Sequence, residues 1–399
     1  MSGYQALDGI KILSLTQFFL GPSAVQYLAD MGAEVIKVES LQGAYERRWS
    51  GGDLFPHGQS MFYMLGNRRA KSISLDLKNE HAQKIGLELA RNADVVVQNF
   101  RPGVADRLGL GYEAVRSVNP GVIYASASGY GEHGAYRNLP GQDLLLQAMT
   151  GLASVSGSAE GPPTPAGCSV IDQHAASLLA TGILGALFRR ERMGQGEHVQ
   201  ITMARAALDL QLESISYHVN GFPVERSPDG LGSGYHQAPY GIYPTAKGYI
   251  AISLSPIAQV AEATGSSELA AFSEADAWTR KRDIAALLTS VLSSREAVEW
   301  EQVLRDNGVW AQRVNSYDEA VSDPAILSLE PFETVADGRG NEVRFVRGPL
   351  QFSDEHAPRQ AWPARLGEHT REILHELGYE KEEVDRLAGE GVIGVEGNG

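Results

Sequence analysis

The sequence predicts an α/β protein whose main domain is a parallel sheet flanked by helices, and three observations carry that expectation. At 399 residues, with 43% hydrophobic and 21% charged, the chain exceeds one ordinary core and calls for two compact domains. Over its first 200 residues short β-branched runs alternate with helical patterns, the rhythm of βαβ units. After residue 221 the composition changes to a Gly-, Pro- and Ser-rich stretch, FPVERSPDGLGSGYHQAPYG, which marks a boundary.

The elements follow in order. IKILSL (10–15) reads as a strand and GPSAVQYLADMG as a helix that Gly32 stops, before EVIKVE (34–39) reads as the next strand. EHAQKIGLELARNA (80–93) is a helical pattern, and DVVVQNF (94–100) and GVIYASAS (121–128) are buried strands. From about Gln173 to Met193 the chain is apolar on most faces, which predicts a central buried helix ended by Gly194 or Gly196; EHVQITM is a strand and 204–221 one amphipathic helix. Beyond the boundary, IYPTA and YIAISL pair as a hairpin turned at Lys247-Gly248, and helices are expected over 276–292 and 295–307. Residues 1–220 thus form the first part of a large domain, 221–325 a smaller one, and 326–399, with the EILHELGY helix, a return to the first.

Composition excludes several classes of function. A formal net charge of −15 without a basic block opposes nucleic-acid binding. The N-terminus lacks a signal-peptide pattern, and no run of about 18 apolar residues is free of charge, so no membrane span is expected. The single cysteine, Cys168, allows no internal disulfide and comes with no metal-ligand spacing; a cytoplasmic setting and no structural metal follow. A polyanionic ligand would need a local basic pocket, for which Arg68, Arg69, Lys71, Arg101 and Arg107 are the candidates; each alone reads as a solvated charge.

In an open α/β sheet, ligands bind beyond the carboxyl ends of the strands, so TQFFLGPS, VESLQGAY, QNFRPG and SGYGEHG should converge on one crevice. None holds a GxGxxG or P-loop pattern. Within AGCSVIDQHAAS, Asp172 stands where a loop becomes a helix, and local sequence favours an N-cap; the helix dipole would keep such a carboxylate ionised, which also suits a nucleophile. Asp143 in PGQDLLLQAMTG opens a helix and reads as a cap or a polar partner in the crevice, and His133 and His174 carry no assignment.

Taken together, LDGIKILSLTQFFLGPSAVQYLADMGAEVIKVE, NRRAKSISLDLK, ADVVVQNFRPGVADRLGLGYE, NPGVIYASASGYGEHGAYRNLPGQD, AGCSVIDQHAAS, GQGEHVQITM and LGEHTREILHELGY resemble, in that order, the class III CoA-transferases, the CaiB/BaiF family. The resemblance implies a doubly wound α/β large domain made from both chain ends, an inserted smaller α+β domain, and a homodimer of interlocked rings. It implies Asp172 as catalytic nucleophile, and CoA contacts from Gln17, Phe18, Phe19, Lys71, Asn99, Phe100, Arg107 and Leu108. Asp143 and a glycine-rich loop with Gly230, Gly232 and Gly234 would support the site; the alternative for that loop is a simple linker. No permanent cofactor is implied: CoA or acyl-CoA is a substrate, and a small carboxylic acid is the other. The sequence departs from the pattern at Ser40, where arginine is common, and at Ala70, where lysine is frequent, with Arg68, Arg69 or Arg101 as replacements.

The nearest rival is an α-methylacyl-CoA racemase of the same fold, which needs two acid–base groups about one carbon. Racemases of this family typically carry a histidine before the matching aspartate, reading GHD, where this chain reads Gly141-Gln142-Asp143, and a glutamine cannot exchange that proton. A CoA-binding non-enzyme would be favoured by loss of Asp172, which is present, and a thioester hydrolase would need water in the site. Tyr235, His236, Gln237 and Tyr240 are candidate acyl contacts or ordinary hairpin flank.

Overall fold

The computed structural model describes residues 5–227, 231–352 and 361–396. The chain divides into two compact units: Met1–Leu146, Ser169–Ala207 and Glu330–Gly399 make the first, and Gln147–Cys168 with Leu208–Leu329 make the second. The second unit therefore takes in 147–168, a stretch that the sequence reading placed in the large domain, and begins at 208 rather than 221.

In the first unit the strands are β1 (Lys11–Leu15), β2 (Glu34–Glu39), β3 (Lys71–Leu75), β4 (Val95–Gln98), β5 (Ile123–Ser128) and β6 (Glu197–Thr202). The second unit holds β7 (Gly241–Pro244), β8 (Tyr249–Ile252) and β9 (Ala311–Arg313); the first resumes with the hairpin β10 (Phe332–Ala336) and β11 (Glu342–Val346), and with β12 (Ile393–Gly394). The main sheet runs β12-β3-β2-β1-β4-β5-β6, six parallel strands and one antiparallel edge strand, β12, paired Ile393 to Leu75. The order 3-2-1-4-5-6 is the doubly wound one, and it reverses between β1 and β4, where Leu13 lies opposite Val96.

Successive side chains of a strand point to opposite faces, so each buried strand feeds two cores. On one face Ile12, Val95, Val97 and Ile123 pack against Leu20, Ala24 and Leu28 of the helix Leu20–Asp30 and against Ile171, Leu179 and Ile183 of the long helix Val170–Met193. On the other, Leu13, Val96 and Tyr124 meet Ile85 and Leu89 of the helix Glu80–Arg91, together with Ile373, Leu374, Val384 and Leu387 from the end of the chain. Val170–Met193 is the one helix among the described residues long and apolar enough to cross a membrane. Its inward side chains lie in the core of the first unit, and Gly194 ends it in the left-handed conformation (φ 69°).

The second unit is a three-stranded antiparallel sheet, β7-β8-β9, covered by helices. Tyr243, Ile250, Leu288 and Trp300 form its core, where the indole of Trp300 donates to Leu292 O at 2.7 Å. The expected hairpin turns at Gly248 (φ 86°), a position that suits glycine. The single helix expected over 204–221 is two, Met203–Leu210 and Leu212–Val219, parted at Gln211, whose buried side chain turns aside to donate to Thr150 Oγ1 at 3.2 Å. A polar group taken out of water needs such a partner, and Gln211 finds it at the break between the two helices.

Candidate active site

The switch point between β1 and β4 is where this topology opens a crevice, and one asparagine spans it. Asn99 accepts from Gln17 N at 2.9 Å and donates to Gln17 O at 2.7 Å, so the loops after β1 and β4 are held as a pair. Clamping Gln17 sets the next residue: Phe18 takes a left-handed backbone (φ 59°), which a side chain adopts only when its surroundings impose it. Gly21 completes the contact, since a Cβ there would meet Thr16 at 2.7 Å and Asn99 at 3.0 Å. Phe19 precedes the first helix and accepts from Ser23 N at 2.9 Å. Phe100 N donates to Gln98 Oε1 at 2.8 Å, and Leu108 caps the short helix Val104–Arg107, which leaves Arg107 exposed in the same loop.

Asp172 reaches this edge from the other direction. Arg190, near the end of the long helix, donates to Asp94 Oδ1 at 2.8 Å just before β4 begins, so the helix runs antiparallel to the strands. Its first turn therefore lies on the side of the carboxyl ends. Asp172 is the third residue of the helix and not its cap, which corrects the local expectation. The cap comes from 29 residues earlier: Asp143 Oδ2 accepts from Ile171 N at 2.8 Å and from Asp172 N at 2.9 Å. Gly141 makes this possible. A Cβ there would stand 2.4 Å from Gly129 Cα, so only two glycines let the loops cross closely enough to deliver Asp143.

This arrangement reverses the electrostatic expectation for Asp172. Burial, and then the negative charge of Asp143, push its carboxyl up to about 7, whereas the sequence reading had the helix dipole holding it ionised. The first-turn N–H groups that express the dipole are occupied by Asp143, and Asp172 receives the repulsion instead of the donors. Near neutrality it exists in both forms, and the carboxylate, the nucleophilic one, dominates above pH 7.

Other expected residues stand apart from this edge. Lys71 begins β3 level with Ile36 and pairs with Glu372 at 2.6 Å and Glu376 at 3.4 Å; it lines a cavity of about 580 Å³ at the amino edge, with Lys11, Glu34 and Arg69. It is not brought together with Gln17 and Asn99, because it is the first residue of β3 and lies level with the middle of β2, away from the carboxyl ends. Arg68 is buried with its guanidinium 4.8 Å from the Phe345 ring and donates to Leu65 O at 2.8 Å. Arg101 and Arg107 remain as exposed cations of the loop after β4. In the second unit Gly232 N donates to Tyr240 O at 2.9 Å, and a Cβ on Gly234 would meet Glu225 O at 2.5 Å; both glycines serve close packing there, and Gly230 lies outside the described residues.

Sequence reasoning missed the polar network beneath the β2 loop. Glu39 accepts from Arg47 Nε at 2.7 Å, Ser72 Oγ at 2.9 Å and Tyr63 Oη at 3.2 Å. Burial alone would raise the Glu39 carboxyl, but the hydrogen bond and charge of Arg47, with Lys37, hold it below its usual range. Lys37 donates to Thr16 O at 2.8 Å and faces Glu46 at 3.6 Å. The alternation of EVIKVE hinted at it, since Lys37 and Glu39 fall on the same face.

Against known proteins, residues 7–370 match the model of CoA-transferase family III. The chain is 33% identical to a "Probable fatty acyl-CoA transferase" of Mycobacterium tuberculosis, over 92% of this chain and 97% of that one. It is 32% identical to a formyl-CoA:oxalate CoA-transferase of Streptomyces coelicolor, over 98% and 99%. A crystal structure of a CaiB/BaiF family protein from Brucella suis superposes with a TM-score of 0.82 at 27% identity, covering 94% of this chain and 100% of that one. The doubly wound sheet, the crevice and these matches define a CoA-transferase, and the chain belongs to CoA-transferase family III.

Proposed function

We propose that the enzyme moves CoA from an acyl-CoA donor to a carboxylic acid through an aspartyl-CoA thioester on Asp172. The observation that carries the reading is the placement of a partly buried carboxyl in the first turn of a helix at the carboxyl edge of a doubly wound sheet. Asp172 carboxylate attacks the thioester carbonyl, and CoA thiolate leaves an acyl-aspartyl anhydride. The thiolate then attacks the Asp172 carbonyl, releases the donor acid and leaves the thioester on the enzyme. The acceptor carboxylate attacks that thioester, expels the thiolate and forms the second anhydride. Thiolate attack on its acyl carbonyl yields the new acyl-CoA and regenerates Asp172.

Gln17, Phe18, Phe19, Asn99, Phe100, Arg107 and Leu108 are the proposed CoA contacts. Lys71, paired with two glutamates, drops out of that set. Each oxyanion needs preorganised donors. Gly230 and Gly234 are retained as proposed contributors, whereas the Gly232 N–H is already engaged with Tyr240.

The second reading, racemisation, draws on one observation: a carboxyl near 7 suits a general base. Gln142 opposes it, because no second proton carrier stands beside Asp143 in the chain. One experiment separates them. Asp172→Ala should lose CoA exchange by at least about 10³-fold, as expected of a covalent nucleophile, and the wild type loaded with acyl-CoA should yield a hydroxamate on the Asp172 peptide. Exchange retained in the variant would sink the mechanism, and deuterium wash-in at the α-carbon without exchange would point to the racemase.

We further propose the interlocked homodimer and a cytoplasmic setting. Large apolar side chains stand exposed in both units, among them Leu144 (60%), Phe188 (63%), Trp310 (66%) and Tyr317 (85%), and a partner copy would cover them.

A further inference from the structure

Five aromatic side chains gather at the carboxyl edge of the first unit. Phe18 stacks on Tyr45 with ring centroids 5.5 Å apart, Phe19 lies 5.5 Å from Phe62, and Trp49 meets Phe62 edge-on at 4.9 Å. Apolar rings usually go inside, yet Phe18, Tyr45 and Trp49 are 44%, 51% and 40% exposed. They are also fixed. Phe18 is held out by the Asn99 clamp in a strained backbone, and Trp49 O accepts from Ser60 Oγ at 2.6 Å while Phe62 N donates to Ser50 Oγ at 3.3 Å. Tyr45 opens the segment that Arg47 anchors to Glu39.

Rigid rings that give up burial and accept strain beside a crevice form a surface prepared for a flat or apolar ligand. Charge narrows its class. Lys37 is spent on Glu46 and Arg47 on Glu39, so among the cations of these segments Arg48 alone is exposed. A free carboxylate at the far end of a dicarboxylic acyl group would meet the exposed Arg48, and water screens such a pair to little net gain.

Resting on the transferase reading above, we infer that Tyr45, Trp49 and Phe62, beside the proposed CoA contacts Phe18 and Phe19, form an aromatic shelf that receives the acyl group, and that the preferred substrates are aryl or medium-chain apolar monocarboxylic acids. A short dicarboxylic acid would leave the rings wet, whereas an eight-carbon chain or a phenyl ring covers them and takes apolar surface out of water.

The test is the rate at which individual acyl-CoA donors load Asp172, read by hydroxylamine trapping, which needs no acceptor. Octanoyl-CoA and phenylacetyl-CoA should load at least about tenfold faster, as kcat/KM, than succinyl-CoA, the worth of two buried methylenes. Trp49→Ala should lower the octanoyl-to-acetyl ratio about fivefold or more, and Tyr45→Ala gives a second, more exposed position should Trp49→Ala fold poorly. Faster loading by succinyl-CoA would overturn the inference. So would equal slowing of every donor in the variants, which would assign the shelf to CoA itself, or a change of oligomer mass in solution with an unaltered ratio, which would assign it to an interface. Failure of all donors to load Asp172 would instead bring down the transferase reading, and this inference with it.

Discussion

Asp172 in the first turn of the long helix and Asp143 capping that turn from outside are two carboxyls with divided labour. Asp143 takes the donors, and Asp172 is left with burial and a neighbouring charge, which is why its proton is held to about 7. Such an acid lowers stability as pH rises. The folded state keeps the proton that the unfolded chain gives up near 3.9, so this group's cost is absent at pH 4, grows across pH 4 to 7 and is complete above 7. Asp172→Asn should therefore be more stable than the wild type at pH 8, by up to about 4 kcal/mol, with the difference vanishing near pH 4. Denaturant melts at both pH values measure it; an equal gain at both would refute the ionisation cost. Asp172, the proposed nucleophile, could be singled out from the sequence, but the cap of its helix could not: Asp143 reaches Ile171 and Asp172 through a crossing of Gly129 and Gly141, a long-range contact that local pattern does not encode.

Among elements, the loops after β1 and β4 are locked as a pair, because one side chain satisfies both the donor and the acceptor of Gln17. Asn99→Ala removes both bonds and the contact that shapes Phe18, so KM for acyl-CoA should rise about tenfold, with a smaller fall in kcat. Steady-state kinetics decide it, and an unchanged KM would mean that the loop pair does not hold CoA. The strands flanking this loop were readable from buried runs such as DVVVQNF, and the long helix from its apolar length. Its start was misjudged, since Val170 and Ile171 are already helical with the cap supplied from elsewhere. β12, two residues long, left no periodic signal, and the break at Gln211 coincides with a hydrogen bond to Thr150, a residue distant in sequence.

At the scale of the molecule, the doubly wound order could be expected from the resemblance, while the membership of 147–168 in the second unit depended on packing that no local pattern records. The same packing leaves apolar surface uncovered on each unit, and the proposed partner should cover it. Light scattering at micromolar concentration should give twice the 43.0 kDa of the chain; a stable monomer would leave Tyr317 and Trp310 without an explanation.

β12 pairs Ile393 with Leu75, joining the main sheet to a strand more than 300 residues away. Between those strands lies all of the second unit, whose own segment 208–329 is continuous. Loop closure must precede so distant a pairing, so the two units should acquire their structure on different clocks. The hairpin and helices of the second unit can consolidate from near neighbours, whereas the edge of the main sheet is closed last. During that interval β3 presents an unpaired rim, and the period of greatest exposure to misassembly is set by how late one short strand arrives.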